Sequence, residues 1–258
     1  MPDVGGSSLS VSAVGEIRVL SFDCYGTLID WETGIWDAFQ PAIMAAGRTD
    51  ITRPDLLAAY ADAESAIERE RPDLAYDAVL AAVHERLCRH FGLTGIADEM
   101  HEAFADSIRC WPAFADTADA LRALSRRFRL VILSNVHRAG IVASLQRLGV
   151  AFDAVLIAED IGSYKPDLAN FRVLLQTVRE RFGAEPEALL HVAQSLYHDI
   201  EPALRLNLRC AWIDRQGLRH GGHWGATPET AEKARLMAQV PAFDSLADLS
   251  EALGCSPG

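Results

Sequence analysis

The run Ser21-Phe22-Asp23-Cys24-Tyr25-Gly26-Thr27-Leu28-Ile29-Asp30 sets an aspartate directly after an apolar stretch, Ile17 to Phe22, and just before a Gly-Thr turn. The stretch reads as a short buried strand. A carboxylate at its end stands at the C-terminal edge of a parallel sheet, where open α/β proteins keep their chemistry. In water a carboxylate is a weak nucleophile; desolvated and aimed at an electrophilic carbon it becomes a competent one. Asp23 is therefore the candidate nucleophile, although a lone aspartate after a strand can also serve only to cap a turn. Gly26 allows the chain to turn tightly, and Thr27 joins Asp23 as a catalytic candidate.

Three more clusters carry polar chemistry after apolar runs. Ser134 and Asn135 follow Leu130–Leu133. Their short side chains suit hydrogen bonding to an anion or capping of a helix that begins near His137. Lys165 lies in Gly162-Ser163-Tyr164-Lys165-Pro166-Asp167. A lysine there is a compact point charge that can hold repelling carboxylates together, or an ordinary surface residue ahead of a helix. The last cluster is His191-Val192-Ala193-Gln194-Ser195-Leu196-Tyr197-His198-Asp199.

The elements that must position these residues alternate. Apolar strands are expected at Leu130–Leu133, Ala154–Ala158, Leu189–Ala193 and Cys210–Ile213. Helical periodicity lies between them near Thr117–Arg127, Arg138–Leu148, Pro166–Arg181 and Ile200–Leu206, so βαβ units and a parallel sheet follow. Between the first strand and this series the pattern is helical only, around Gly34–Ala46, Pro54–Glu68, Leu74–Phe91 and Ala97–Ile108. Such a block reads as an inserted cap, with crossings near Asp30–Thr33 and Cys110–Phe114. Gly217–Thr227 reads as a surface loop, followed by a helix and a short strand–helix.

The 258 residues can bury a substantial core, as one domain or as a domain with an insertion. A formal net charge of −12 argues against general nucleic-acid binding and against an anionic membrane surface, but leaves room for a small anion held by local cations. Five scattered cysteines without a C-x-x-C pair read as reduced residues of a cytoplasmic protein. Cys24 is expected to pack away from the site by strand alternation. Residues 1–15 lack the basic start and apolar core of a signal peptide and read as a disordered tail; no run approaches transmembrane length. The pairs His84/His90 and His220/His223 lack partners at metal-binding spacing.

Together, the four motifs resemble those of the haloacid dehalogenase superfamily, in order and over nearly the whole chain beyond residue 15. The resemblance implies an α/β fold: a Rossmann-like parallel-sheet core at 16–31 and 112–258, with an all-helical cap domain at 32–111. It implies that Asp23 is the nucleophile. Most members, the phosphatases among them, carry a second aspartate two positions on; this chain has Tyr25 there, which resembles the 2-haloacid dehalogenase branch. A phosphatase needs that acid to protonate an alkoxide, whereas chloride or bromide departs without a proton. By the same resemblance Ser134 holds the substrate carboxylate and Asn135 meets the halide. Lys165 neutralises the nucleophile, and Asp199 holds Lys165 and positions water. Tyr25, Gln194, Ser195 and His198 line the substrate. Gln194 replaces the first acid of a magnesium site, so with Tyr25 the donors suit magnesium poorly and no cofactor is expected. The branch has an asparagine and a tryptophan in the fourth motif that this chain lacks.

In the dehalogenases an arginine on an early cap helix binds the halide; Arg48, Arg53, Arg69 and Arg71 all stand in that stretch. Trp31, Trp36 and Trp111 near the crossings are expected to wall an apolar pocket or to pack the hinge. The implied reaction is metal-independent hydrolysis of short 2-haloalkanoates (haloacetate, L-2-haloacid) to 2-hydroxy acids through an aspartyl ester, by a homodimer. Two alternatives stay open: hydrolysis of another C–X bond such as a strained C–N ring, and a divergent phosphatase.

Overall fold

The computed structural model describes residues 16–220 and 231–256. Strand β1 (Val19–Phe22) is the centre of a six-stranded parallel sheet with β2 (Arg129–Ser134), β3 (Ala154–Ile157), β4 (Leu189–Ala193), β5 (Arg209–Ile213) and β6 (Ala242–Phe243), in the order β3-β2-β1-β4-β5-β6. Every neighbouring pair is parallel. The order reverses at β1: its partners β2 and β4 leave in opposite directions, which opens a crevice at the carboxyl ends of these strands.

Alternation fixes which side chain meets which layer. Leu20, Phe22, Leu130, Ile132, Leu190 and Val192 enter one apolar core, and Val19, Val131, Leu133, Leu189 and Ala193 enter the other. Both faces are covered, so the strands are nearly continuous apolar runs, as parallel sheets require. Helices α5 (Thr117–Ser125), α6 (Arg138–Leu148), α7 (Leu168–Phe182), α8 (Glu201–Arg205), α9 (Ala231–Met237) and α10 (Leu246–Ala252) connect or follow the strands.

Between β1 and β2 lie α1 (Trp31–Ala45), α2 (Arg53–Glu70), α3 (Tyr76–His90) and α4 (Asp98–Asp106), then a 3₁₀ turn at Ser107–Cys110. Each start has a local cause. Asp30 caps α1 by accepting from the Thr33 N–H at 3.1 Å, and Thr52 caps α2 ahead of Pro54 in the first turn, where a missing N–H is harmless. The insertion packs closely on its exit: a Cβ on Gly34 would lie 2.3 Å from the Trp111 ring. Cys24 is fully buried in the core beneath, as alternation predicts.

Several boundaries differ from expectation. Helix α7 begins at Leu168, not at Pro166, because the Asp167 carboxylate caps it by accepting from the Ala169 N–H at 2.8 Å. A π-helical turn, Leu196–Ile200, precedes the short α8, with Ser195 Oγ accepting from the His198 N–H at 3.0 Å. The histidine expectation needs a correction: His84 has partners of metal-ligand type, His101 with Nδ1 to Nδ1 at 2.7 Å and Cys88 with its sulfur at 3.8 Å. His101 comes from α4, so spacing within α3 could not show it. Residues 1–15, expected as a tail, and 221–230, which hold His223 and the rest of the expected surface loop, lie outside the described residues. Among the described residues no helix is long and apolar enough to cross a membrane.

Candidate active site

Asp23, one residue beyond β1, is 6% exposed. Its Oδ1 accepts from Lys165 Nζ at 2.8 Å and its Oδ2 from Thr27 Oγ1 at 2.7 Å. Gly26, at φ +98°, makes the return possible, and its N–H donates to the Ile29 carbonyl at 2.8 Å to close the loop. Thr27 in turn accepts from the Gln194 N–H at 2.9 Å, which ties the first motif to the fourth. Lys165 Nζ also donates to Asp199 Oδ1 at 2.6 Å and to the Leu133 carbonyl at 3.0 Å. The ammonium, 2% exposed, thus has three oxygen acceptors and sits between two carboxylates. His191, midway along β4, was not singled out from the sequence. It stands opposite Ser21 in register, meets Ser21 Oγ through Nδ1 at 2.9 Å, and reaches Asp199 Oδ1 through Nε2 at 3.0 Å.

These groups shift one another. Burial raises the Asp23 pKa and Asp199 adds to this, against Lys165 and Thr27; the carboxylate is more basic than in water and correspondingly more nucleophilic. Burial would lower Lys165, but Asp199 and Asp23 outweigh it and hold the ammonium above its ordinary pKa. Burial would raise Asp199, yet Lys165 and His191 hold it below the usual carboxylate range. His198 is pushed down to about 4 by burial, against the pull of Asp199.

Besides His137 Nδ1, two polar atoms are buried without a hydrogen-bond partner among the described residues: Ser134 Oγ at the end of β2 and Asp199 Oδ2 in the π-helical turn. Both residues line one cavity of about 590 Å³ with Asp23, Tyr25, Asn135, Lys165, Gln194, Ser195 and His198. The structure therefore assembles the sequence candidates in one place, with Thr27 just beneath. Asn135 is locked to the lysine backbone: Oδ1 accepts from the Lys165 N–H at 2.7 Å and Nδ2 donates to the Lys165 carbonyl at 3.0 Å, leaving one N–H. The Tyr25 hydroxyl pairs with Ser144 Oγ at 2.9 Å while its ring edge meets Trp111. Gln194 Nε2 donates to Gln216 Oε1 at 3.0 Å.

The opposite wall comes from the helical insertion. Trp31, Leu57, Tyr60, Tyr76 and Trp111 give it an apolar and aromatic character, and Trp31 stacks on Tyr60 at 5.4 Å. Of the four arginines considered, Arg53 and Arg69 line the cavity, while Arg48 is held by Asp50 and the Phe91 carbonyl. Glu64 and Glu68 also line the cavity, and nothing in the sequence singled them out. Tyr60, Glu64 and Glu68 are four residues apart and so share a helix face, but a face with two acids normally reads as solvated.

A magnesium ion does not fit these donors. Tyr25 offers a phenol turned to Ser144, Gln194 an amide paired with Gln216, and the position between Asp23 and Asp199 is filled by the Lys165 ammonium. Hard cations need several anionic oxygens around an open centre.

The haloacid dehalogenase-like hydrolase model matches residues 17–207. The chain belongs to this family. An (S)-2-haloacid dehalogenase of Pseudomonas putida is 31% identical over 50% of this chain and 56% of its own length. The alignment thus spans little more than half of that relative. The (S)-2-haloacid dehalogenase 4A of Burkholderia cepacia is 25% identical over 90% of this chain and 94% of its own. The L-2-haloacid dehalogenase structure from Xanthobacter autotrophicus superposes with a TM-score of 0.69 at 18% identity, covering 92% of this chain and 98% of that one. A second structure of that protein, with chloropropionic acid covalently bound, gives 0.68 at the same identity and coverage. The family fold, a Rossmann-like parallel sheet with an inserted helical block, is the one observed.

Proposed function

We propose that this chain hydrolyses the C–X bond at C2 of a short 2-haloalkanoate, without a metal, through an ester on Asp23. The observation that carries this is the buried Asp23–Lys165–Asp199 array with two unpartnered atoms, Ser134 Oγ and Asp199 Oδ2, facing the same cavity. Ser134 Oγ has an O–H to give to the substrate carboxylate, and Lys165 supplies the positive charge beside it. Asp23 attacks C2 from the side opposite the halogen, forms the C–O bond and inverts the carbon while the halide leaves with the bonding pair. The remaining Asn135 N–H and the positive edges of the aromatic wall receive the halide. Asp199 Oδ2 then takes a proton from water as it attacks the ester carbonyl, and a 2-hydroxy acid is released. His191 and Lys165 fix Asp199 in place for that step. The block 32–111 acts as the cap that excludes bulk water, which strengthens every charge interaction inside. Dehalogenase relatives, one of them with chloropropionic acid covalently bound, support the ester step.

The test is halide release from chloro-, bromo- and fluoroacetate and from each enantiomer of 2-chloropropionate, with and without chelator, beside a generic phosphate ester. Single turnover in H₂¹⁸O should place the label on Asp23. Magnesium-dependent phosphate release, or halide release that persists in Asp23→Asn, would overturn the assignment.

A further inference from the structure

The cavity wall facing Asp23 carries an unusual pairing of carboxyls and aromatic faces. Glu64 and Glu68 lie one turn apart on α2, and both border the cavity that holds Asp23 and Lys165. The Tyr60 and Tyr76 hydroxyls donate to the same oxygen, Glu64 Oε1, at 2.8 and 2.6 Å. Those two bonds fix the carboxyl and leave Oε2 with no partner among the described residues. Trp31, Tyr60 and Tyr76 line the same wall, with Trp31 stacked on Tyr60. Carboxylates beside aromatic faces in a water-poor pocket attract a cation both by charge and by the ring quadrupole. A halide gains nothing from the carboxyls themselves. Two arginines stand on the same wall: Arg53 donates to Thr33 Oγ1 at 3.0 Å, and Arg69 is exposed.

We propose that Glu64 and Glu68, with the rings of Trp31, Tyr60 and Tyr76, form a subsite for a protonated nitrogen of the substrate. The substrate class is then a small amino acid, its carboxylate held at Ser134 and Lys165 and its ammonium held under α2. This rests on the reading of Ser134 and Lys165 as the carboxylate anchor, and it extends that reading from plain haloalkanoates to zwitterions. Burial raises both Glu64 and Glu68, first by desolvation and for Glu68 next by Glu64, so that Glu68 reaches about 9. A cation seated beside them would favour the charged form of both.

The experiment is isothermal titration of full-length Asp23→Asn, which cannot turn over, with three matched pairs: glycine and propionate, β-alanine and butyrate, 4-aminobutyrate and pentanoate. At least one amino acid should bind tenfold or more tightly than its neutral isostere, and Glu64→Gln and Glu68→Gln in that background should each shrink the ratio at least threefold. Equal or tighter binding of the neutral member in all three pairs overturns the subsite. So does a preference that survives both glutamine variants. The Proposed function fails by a different readout, the absence of halide release by wild type. Halide release with no ammonium preference would leave that function standing and remove the subsite. Ammonium preference without halide release would do the reverse.

Discussion

Replacing Lys165 by methionine tests the central electrostatic argument. The ammonium touches Asp23 Oδ1 at 2.8 Å and Asp199 Oδ1 at 2.6 Å, so those oxygens lie within roughly 6 Å of each other around a common centre. Without the cation, two charges at about 6 Å and an effective dielectric constant of about 20 repel by about 3 kcal/mol. That agrees with the ~3–5 kcal/mol typical of breaking a buried pair from one side. Lys165→Met should therefore lose about 3–5 kcal/mol in urea unfolding at pH 7.5, together with all detectable turnover. The sign with pH follows. In the variant the folded state holds a carboxyl proton that the unfolded chain releases, so a folded-state pKa is raised. Stability is then highest at low pH and falls as pH rises through that pKa, and the gap to wild type should narrow from pH 7.5 toward pH 5. Adding Asp23→Asn should restore most of the lost stability at pH 7.5, because it removes one of the two repelling charges, but none of the activity. A Lys165→Met protein as stable as wild type at pH 7.5, or one that Asp23→Asn destabilises further, would refute the reasoning.

Three other outcomes follow from the geometry. Thr27→Val removes the bond to Asp23 Oδ2 and the acceptor for the Gln194 N–H; stability should fall by about 1–3 kcal/mol in denaturant melts, and kcat by about tenfold for each 1.4 kcal/mol lost from the transition state. Tyr25→Phe keeps the ring against Trp111 and loses only the Ser144 bond, so it should cost about 1 kcal/mol with kcat nearly unchanged. A drop in kcat of ~10²-fold or more would instead make Tyr25 a general acid. Glu68, held at about 9 against an ordinary 4.5 by burial and then by Glu64, binds its proton more tightly folded than unfolded. Its contribution is complete below about 4.5 and is lost as pH rises toward 9. Glu68→Gln should flatten that decline. The full shift would convert to about 6 kcal/mol; exposure to the cavity and coupling to Glu64 reduce the expected gain at pH 8.5 to the order of 2 kcal/mol, readable from thermal melts across pH.

Much of the floor of the candidate site could be read from the chain alone. Asp23, Ser134 and Gln194 each end or follow an apolar run, and a parallel sheet delivers such positions to one edge, so local sequence and general topology suffice. Lys165 was legible as a cation ahead of a helix, in order with the others. The exact start of α7 was not, because Asp167 and not Pro166 supplies the cap. His191 escaped notice because a buried histidine within an apolar strand has no local signature; its role depends on Ser21 across the sheet and on Asp199 beyond the strand end.

The cap side was far less legible, for a physical reason. On α2, Tyr60, Glu64 and Glu68 share a face, and by itself an acidic face belongs to solvent. Only the packing of the insertion over the strand ends turns that face toward Asp23 and Lys165, brings Tyr76 from α3 onto Glu64, and excludes enough water to raise both carboxyls. His84 shows the same limit, since its partner His101 comes from the next helix. The sequence by itself determined the parallel sheet, the position of the candidate nucleophile Asp23 and the presence of Tyr25 and Gln194 at the two positions where a metal-binding relative would carry acids. Those follow from residue type and period. The tertiary structure alone decided which charges face Asp23 from above, because that depends on how two helical layers dock and not on any spacing along one of them.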